Sequence, residues 1–276
     1  MPYPRVLTVQ DISCVGQCSL TVALPILSAC GAETVILPSA VLSTHTGGFK
    51  GYTFRDLSED LPAIEAHWKQ EGIRFDAIYT GYLGSISQIS MVREMMATLG
   101  KETCLRVVDP AMADNGKLYV GFDMDYAAAM RELAFSADVL LPNVTEACLL
   151  TDMEYRETVD EGYVRELTQA LAALGAPCVV LTGVGYRPGE TGVCVCEQGE
   201  IWHYPHRRIS KGCHGTGDVY ASAFVGAMVQ GKSAREAAKI AADYTVACIE
   251  NTVGDPEHWY GVKFETALPE LIRQVR

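Results

Sequence analysis

No apolar run in this chain approaches the roughly 20 residues needed to cross a bilayer, so no membrane-spanning segment and no membrane partner are expected. Basic residues are scarce: 22 Lys and Arg stand against 34 Asp and Glu, a formal net charge of -12. Binding to a phosphate backbone depends on basic stripes, so a nucleic-acid partner is excluded, while a nucleotide bound locally remains open. The chain has no Gly-x4-Gly-Lys-Ser/Thr stretch and none of the protein-kinase signatures, which excludes those two ways of handling a nucleoside triphosphate. Cys14 and Cys18 find no second pair at zinc-finger spacing, and the ten cysteines are scattered with no signal peptide before them. That usage points to reduced thiols and a cytoplasmic protein. Internal repeats, linkers and low-complexity segments are also missing.

What is present is the composition of a globular protein, 49% hydrophobic and 20% charged, in 276 residues that fit one α/β domain over 1–276. Arg5 to Gln10 reads as a buried strand, Ser19 to Cys30 as a helix closed by Gly31, and Thr34 to Pro38 as the next strand. Strand, helix and strand in so few residues make a βαβ unit, so the sheet is mainly parallel. Further strands are expected at Ala77–Thr80, Leu105–Asp109, Asp138–Pro142 and Cys178–Thr182, with an antiparallel edge hairpin at Gly192–Glu197 and Glu200–Tyr204. Helices are expected at Leu61–Gln70, Ile86–Leu99, Asp123–Phe135, Val159–Leu174, Thr216–Gln230, Ala234–Glu250 and Glu265–Gln274, with a short one capped by Asn143. Ser43 to Tyr52 is polar and glycine-rich, too long for a simple turn, and is expected to serve as a lid within about 43–55.

The chain is organised around His214-Gly215-Thr216-Gly217-Asp218 and the helical run behind it. Two glycines allow close approach of the backbone, and a helix start aims free N–H groups at whatever lies in front, as in phosphate and oxyanion sites. A carboxylate beside such an anion hole is repelled unless it has another task, such as taking a proton from an attacking hydroxyl. An ordinary strand-to-helix turn with Asp218 as N-cap is the alternative. Other acids fall at strand ends or turns: Asp11, Asp109, Asp114 and Glu146. Phosphoryl transfer needs magnesium held through carboxylates and water, an anion hole and a base, and these residues offer all three.

Six stretches in order, Thr8-Val-Gln10 with Gly16, Ser43-Thr-His-Thr-Gly47, Thr80-Gly-Tyr-Leu-Gly-Ser85, Asp109-Pro-Ala-Met-Ala-Asp114, Pro142-Asn-Val-Thr-Glu146 and Gly215-Thr-Gly-Asp218, carry a resemblance. With them the chain resembles the ribokinase superfamily and, within it, the pyridoxal (vitamin B6) kinases. The resemblance implies a ribokinase-like three-layer sandwich, a mostly parallel sheet flanked by helices, with ATP and a B6 vitamer meeting at the strand C-termini. It implies Asp218 as the base acting on the vitamer's 5′-hydroxymethyl group, with Gly215, Thr216 and Gly217 as the anion hole. Asp109, Asp114 and Glu146 would arrange Mg2+ and its waters. Asp109, Asn143, Glu146, Thr182, Thr216 and Gly217 would line the nucleotide site, and Asp11, His45, Thr46 and Tyr82 the vitamer site. A homodimer, and a monovalent cation such as K+, are further expectations of the same likeness.

Two positions depart from the pattern. Asp11 stands where such kinases commonly have serine, and a carboxylate there is suited to a protonated ring nitrogen or an amine. Leu42 stands where an aromatic residue is common. Hydroxymethylpyrimidine kinase of thiamine synthesis is the nearest alternative activity, and a non-catalytic vitamer- or nucleotide-binding regulator is the alternative from another class.

Overall fold

The computed structural model describes residues 3–209 and 213–276; Met1, Pro2 and residues 210–212 lie outside the described residues. In chain order the strands are β1 (Arg5–Ser13), β2 (Glu33–Leu42), β3 (Phe54–Asp56), β4 (Phe75–Thr80), β5 (Gly100–Val108), β6 (Ala113–Asp114), β7 (Lys117–Leu118), β8 (Val139–Leu140), β9 (Cys178–Thr182), β10 (Glu190–Glu197) and β11 (Glu200–Arg207). The helices are α1 (Leu20–Ala29), α2 (Leu61–Gln70), α3 (Ile86–Leu99), α4 (Met124–Ala134), α5 (Val144–Thr151), α6 (Glu161–Ala172), α7 (Thr216–Val229), α8 (Ala234–Glu250) and α9 (Leu268–Val275). One nine-stranded sheet runs β11-β10-β9-β8-β5-β4-β1-β2-β3, and β6 and β7 form a separate two-stranded ribbon.

The pairs from β9 through β8, β5, β4 and β1 to β2 are parallel, whereas β10, β11 and β3 are antiparallel additions at the two edges. Central parallel strands are covered on both faces, so their side chains alternate between two cores. Val6, Ala77, Val107, Val139 and Val180 face one core, shared with α1, α7, α8 and α9. Leu7, Ile78, Val108, Leu140 and Leu181 face the other, shared with α2 to α6. Two packed helical layers around one sheet make the expected three-layer sandwich.

Several boundaries differ from the sequence expectation, each for a local reason. Pairing of Ile12 with Val41 and Ser13 with Leu42 carries β1 three residues past Gln10, across a bulge between Gln10 and Ile12. The far side of the expected lid returns as β3, paired antiparallel with β2, and the loop after β5 contains the ribbon β6–β7. α6 starts at Glu161 because the Asp160 side chain accepts from Tyr163 N at 2.8 Å as its N-cap. The last helix begins only at Leu268, after a 3₁₀ turn over Phe264–Ala267. Pro269 lacks a backbone N–H and fits only a first helical turn.

The sheet order reverses at the boundary of β1 and β4, since β2 lies on one side of β1 while β4 and β5 lie on the other. Loops leaving neighbouring strands there diverge to opposite faces, opening a crevice at the strand C-termini. Asp11 lies at the bulge of β1, Gly81 and Asp109 directly follow β4 and β5 at that crevice, and α7 starts above it.

Candidate active site

α7 begins with Gly215 as N-cap at φ 75°, a left-handed backbone that glycine adopts without strain. Space demands glycine as well, because a Cβ at this position would stand 1.7 Å from the carbonyl oxygen of Gln17. The helix start is thereby clamped to the loop after β1. No side chain caps the first turn, and Gly217 borders open space. The early N–H groups of α7 therefore face an open, electropositive helix end suited to an anion. In Gly215→Ala, strain and the clash together should cost about 2–3 kcal/mol and spoil the helix start. The checks are calorimetry, for a lowered Tm, and turnover, which should fall with it.

Asp218 is the third residue of α7, so the N-cap alternative fails; the cap is Gly215. Its carboxylate accepts from the backbone N–H of Ser19. Burial pushes it up to about 7, the Ser19 bond opposes the rise, and the nearby Asp11 charge adds to it. Asp109 leaves β5 with its N–H donating to Thr80 O at 3.1 Å. Its carboxyl is raised well above the usual carboxylate range by burial and then by the charges of Glu146 and Asp218. Asp11 is 4% exposed and accepts from Ser13 Oγ at 2.9 Å, and burial raises it too. Strand alternation, the bulge in β1 and the start of α7 thus bring Asp11, Asp109 and Asp218 to one crevice with little counter-charge. Such a set welcomes a cation and holds a base near neutrality.

Glu146 and Asn143 have a different local task. Asn143 Oδ1 accepts from Glu146 N at 2.9 Å and Glu146 Oε2 accepts from Asn143 N at 2.9 Å, a reciprocal capping box on α5. The remaining Glu146 oxygen accepts from Met112 N at 3.1 Å and Ala113 N at 3.5 Å, and Asn143 Nδ2 donates to Ala113 O at 2.8 Å. These bonds brace the loop that follows Asp109. Burial still pushes Glu146 up to about 7. Glu146→Ala would leave three N–H groups without their acceptor, and we expect a loss of about 2–4 kcal/mol. Hydrogen exchange should show it as lost protection at Met112 and Ala113.

The structure does not bring Asp109, Asp114 and Glu146 together as a direct ligand set. Asp114 is exposed, and its carboxylate is turned to its neighbour, accepting from Asn115 N at 2.8 Å and Asn115 Nδ2 at 2.9 Å. Among the described residues no group of three or more His, Cys, Asp or Glu side chains is placed to hold a metal ion. The left-handed turn at Asn115 and Gly116 decides this by directing Asp114 outward. Magnesium, however, keeps most of its waters and takes one or two carboxylates plus phosphate oxygens, and Asp109 with Glu146 close by meets that lighter demand. Thr182 ends β9 beside Asn143 and donates to Pro142 O at 3.3 Å.

On the other side of the crevice, His45 is buried with both ring nitrogens engaged. Nδ1 accepts from Gly47 N at 3.1 Å, and Nε2 lies 2.7 Å from the Tyr260 carbonyl oxygen, which needs the proton on Nε2. These bonds tie the loop after β2 to residue 260, and the ring does not lie open toward a ligand. Phe49 continues the tie by packing on Trp259, with ring centroids 4.6 Å apart. Thr46 is exposed on the same loop. Tyr82 is half-buried, pushed up to about 12 by burial and then by Asp11, and stacks on Phe122 at 5.4 Å. Ser13, Ser19, Trp259 and Tyr260 are the site neighbours that sequence reasoning passed over. No motif marks them, and only folding brings the chain end against residue 45.

An open parallel sheet with both faces covered, acids at the strand C-termini and a glycine-led helix start define a kinase of the ribokinase superfamily. The family model for phosphomethylpyrimidine kinase matches residues 27–261, and the chain belongs to that family, in its pyridoxal kinase-like branch. Pyridoxal kinase from Lactobacillus plantarum superposes with a TM-score of 0.91 at 33% identity, covering 99% of this chain and 98% of that one. A Bacteroides thetaiotaomicron protein, assigned provisionally as a phosphomethylpyrimidine kinase and crystallised in a form with pyridoxal, gives a TM-score of 0.93 at 36% identity. That match covers 98% of this chain and 96% of that one. Pyridoxine kinase of Bacillus subtilis is 33% identical over 187 residues, 66% of each chain, so the alignment spans about two thirds of that relative.

Proposed function

We propose that this kinase phosphorylates the 5′-hydroxymethyl group of pyridoxal, pyridoxine or pyridoxamine at the expense of ATP. The observation that carries the reading is Asp218, a carboxylate held near neutrality at the mouth of an uncapped helix start. In the proposed step the substrate hydroxyl oxygen attacks the terminal phosphorus of ATP, its proton passes to Asp218, and the bond to the ADP oxygen breaks. The N–H groups around Gly215, Thr216 and Gly217 take up the charge on the transferring group. Asp109, supported by Glu146, would hold magnesium, which would supply charge neutralisation at the phosphates. Asn143 and Thr182 lie along the nucleotide side, and Asp11, Tyr82 and Thr46 along the vitamer side, with His45 fixing the loop that carries Thr46. The Bacteroides thetaiotaomicron neighbour with pyridoxal supports the B6 reading.

A coupled ADP-release assay tests it, with the three vitamers and hydroxymethylpyrimidine offered separately, in sodium and in potassium buffers. Turnover of at least one vitamer well above that of the pyrimidine is expected. Turnover of the pyrimidine alone transfers the chemistry to thiamine synthesis, which the matched family model makes the specific alternative. Binding of a vitamer with no turnover of any compound replaces the enzyme by a regulator. Sedimentation tests the proposed homodimer.

A further inference from the structure

Three aromatic rings stand in a row beside the crevice. Tyr82 stacks on Phe122 with ring centroids 5.4 Å apart at 26°, and Phe122 stacks on Tyr126 with centroids 3.7 Å apart at 8°. Tyr126 is the third residue of α4, and Asp123 caps that helix by accepting from Tyr126 N at 2.9 Å, so the residue before the cap, Phe122, folds back over it. Tyr126 is 3% exposed, and its OH donates to Leu83 O at 2.7 Å. The row therefore closes on itself, because Leu83 adjoins Tyr82 in the turn after β4. Phe122 is also rooted behind Asp109: its N–H donates to Tyr119 O at 3.1 Å, Tyr119 N to Met112 O at 2.8 Å, and Met112 N to Glu146 Oε1 at 3.1 Å.

The turn after β4 does not need the Tyr82 ring to keep its shape. Its backbone is held at successive residues, by Ser39 Oγ donating to Tyr82 O at 3.4 Å, by Tyr126 OH at Leu83 O, and by Gly84 N donating to Gln88 Oε1 at 2.7 Å. Leu83, 0% exposed, anchors it in the core. The Phe122 contact thus bears on the ring alone. That ring stays partly exposed, and its turn lies against the end of β1, where Gln10 Oε1 would stand 2.7 Å from a Cβ at Gly81. A freely turning ring is a poor surface for a flat ligand, which must stop the rotation in order to pack on it. A ring already braced loses little more freedom on binding.

We propose that Phe122, backed by Tyr126, is a positioning residue that holds the Tyr82 ring as a ready-made platform for the aromatic ring of the substrate. It acts through Tyr82 and takes no part in the chemistry. The proposal rests on the B6 reading above, with Tyr82 on the vitamer side.

The test is steady-state kinetics with ATP and pyridoxal, and calorimetric binding of pyridoxal, for Phe122→Leu, Phe122→Tyr, Tyr82→Leu and the double variant Tyr82→Leu/Phe122→Leu. Phe122→Leu should raise KM and Kd for pyridoxal about 3- to 10-fold, the worth of one aromatic pair, with kcat and the KM for ATP within about twofold. Phe122→Tyr keeps the stacking face and should restore both constants. The double variant should bind no worse than Tyr82→Leu alone, because the brace then has nothing to hold. An unchanged KM for pyridoxal in Phe122→Leu, a loss shared equally with kcat or with the KM for ATP, no rescue by tyrosine, or additive losses would each overturn the proposal. If Phe122→Leu does not fold, Phe122→Met, which fills the same space without a flat face, is read in its place. A raised KM in Tyr82→Leu beside an unaffected Phe122→Leu sinks the brace alone. An unaffected Tyr82→Leu removes Tyr82 from the vitamer side and the brace with it, and an unaltered protein that turns over no vitamer sinks the B6 reading as well.

Discussion

Asp218→Asn should abolish turnover and make the protein more stable. Loss of the group that takes the hydroxyl proton is expected to lower kcat by about 10²- to 10⁴-fold while ATP and vitamer binding persist. The stability change follows from the same burial. The Asp218 carboxyl sits at about 7 in the fold and at 3.8 ordinarily. Between those values the native state binds more protons than the unfolded chain, so the contribution of this group to stability is present at low pH and lost as pH rises through about 7. An asparagine has no such dependence. Above pH 7 the variant should be the more stable protein, and the gap should close as pH falls toward 4. Part of Asp218 remains open to solvent, which discounts the gain to about 1–2 kcal/mol. Calorimetry of the magnesium-free protein from pH 5 to 8 reads this out. A variant that is less stable at pH 8, or that retains turnover, would show that residue 218 is an ordinary part of the helix.

Asp11→Ser should change which vitamer is preferred. Asp11 is buried, and only two serine hydroxyls, its own N–H and His45 offset the cost of its charge. A ligand bearing an amine would supply the missing cation, and a charged hydrogen bond of about 1.5–3 kcal/mol corresponds to roughly 10- to 100-fold in kcat/KM. Serine should remove that advantage for pyridoxamine and leave pyridoxal, whose aldehyde carries no charge, little affected. The ratio of kcat/KM for the two compounds is the measurement, and a ratio that does not move rejects a role for Asp11 in choosing the vitamer.

Most of the scaffold was legible in the residues themselves. Short β-branched runs alternating with amphipathic helices specify a parallel sheet, because burying both faces of a strand leaves a period that sequence displays directly. Asn143 and Glu146, three residues apart, likewise announced a helix start. Their full task was not legible, since the acceptors and donors they satisfy at Met112 and Ala113 lie some 30 residues away in the chain. Asp114 shows the converse. Its motif suggested a metal contact, and a left-handed turn at the next two residues points it elsewhere.

The three-layer order was implied by the resemblance; the sequence by itself determined the mainly parallel sheet, the antiparallel edge hairpin and the helix start behind Gly215 and Gly217. Each follows from local periodicity, turn chemistry and glycine placement. Only the tertiary structure decided which acids lose their water, and that His45 is tied to Tyr260 rather than left open. Burial and pairing depend on neighbours distant in the chain, and local pattern carries no record of those.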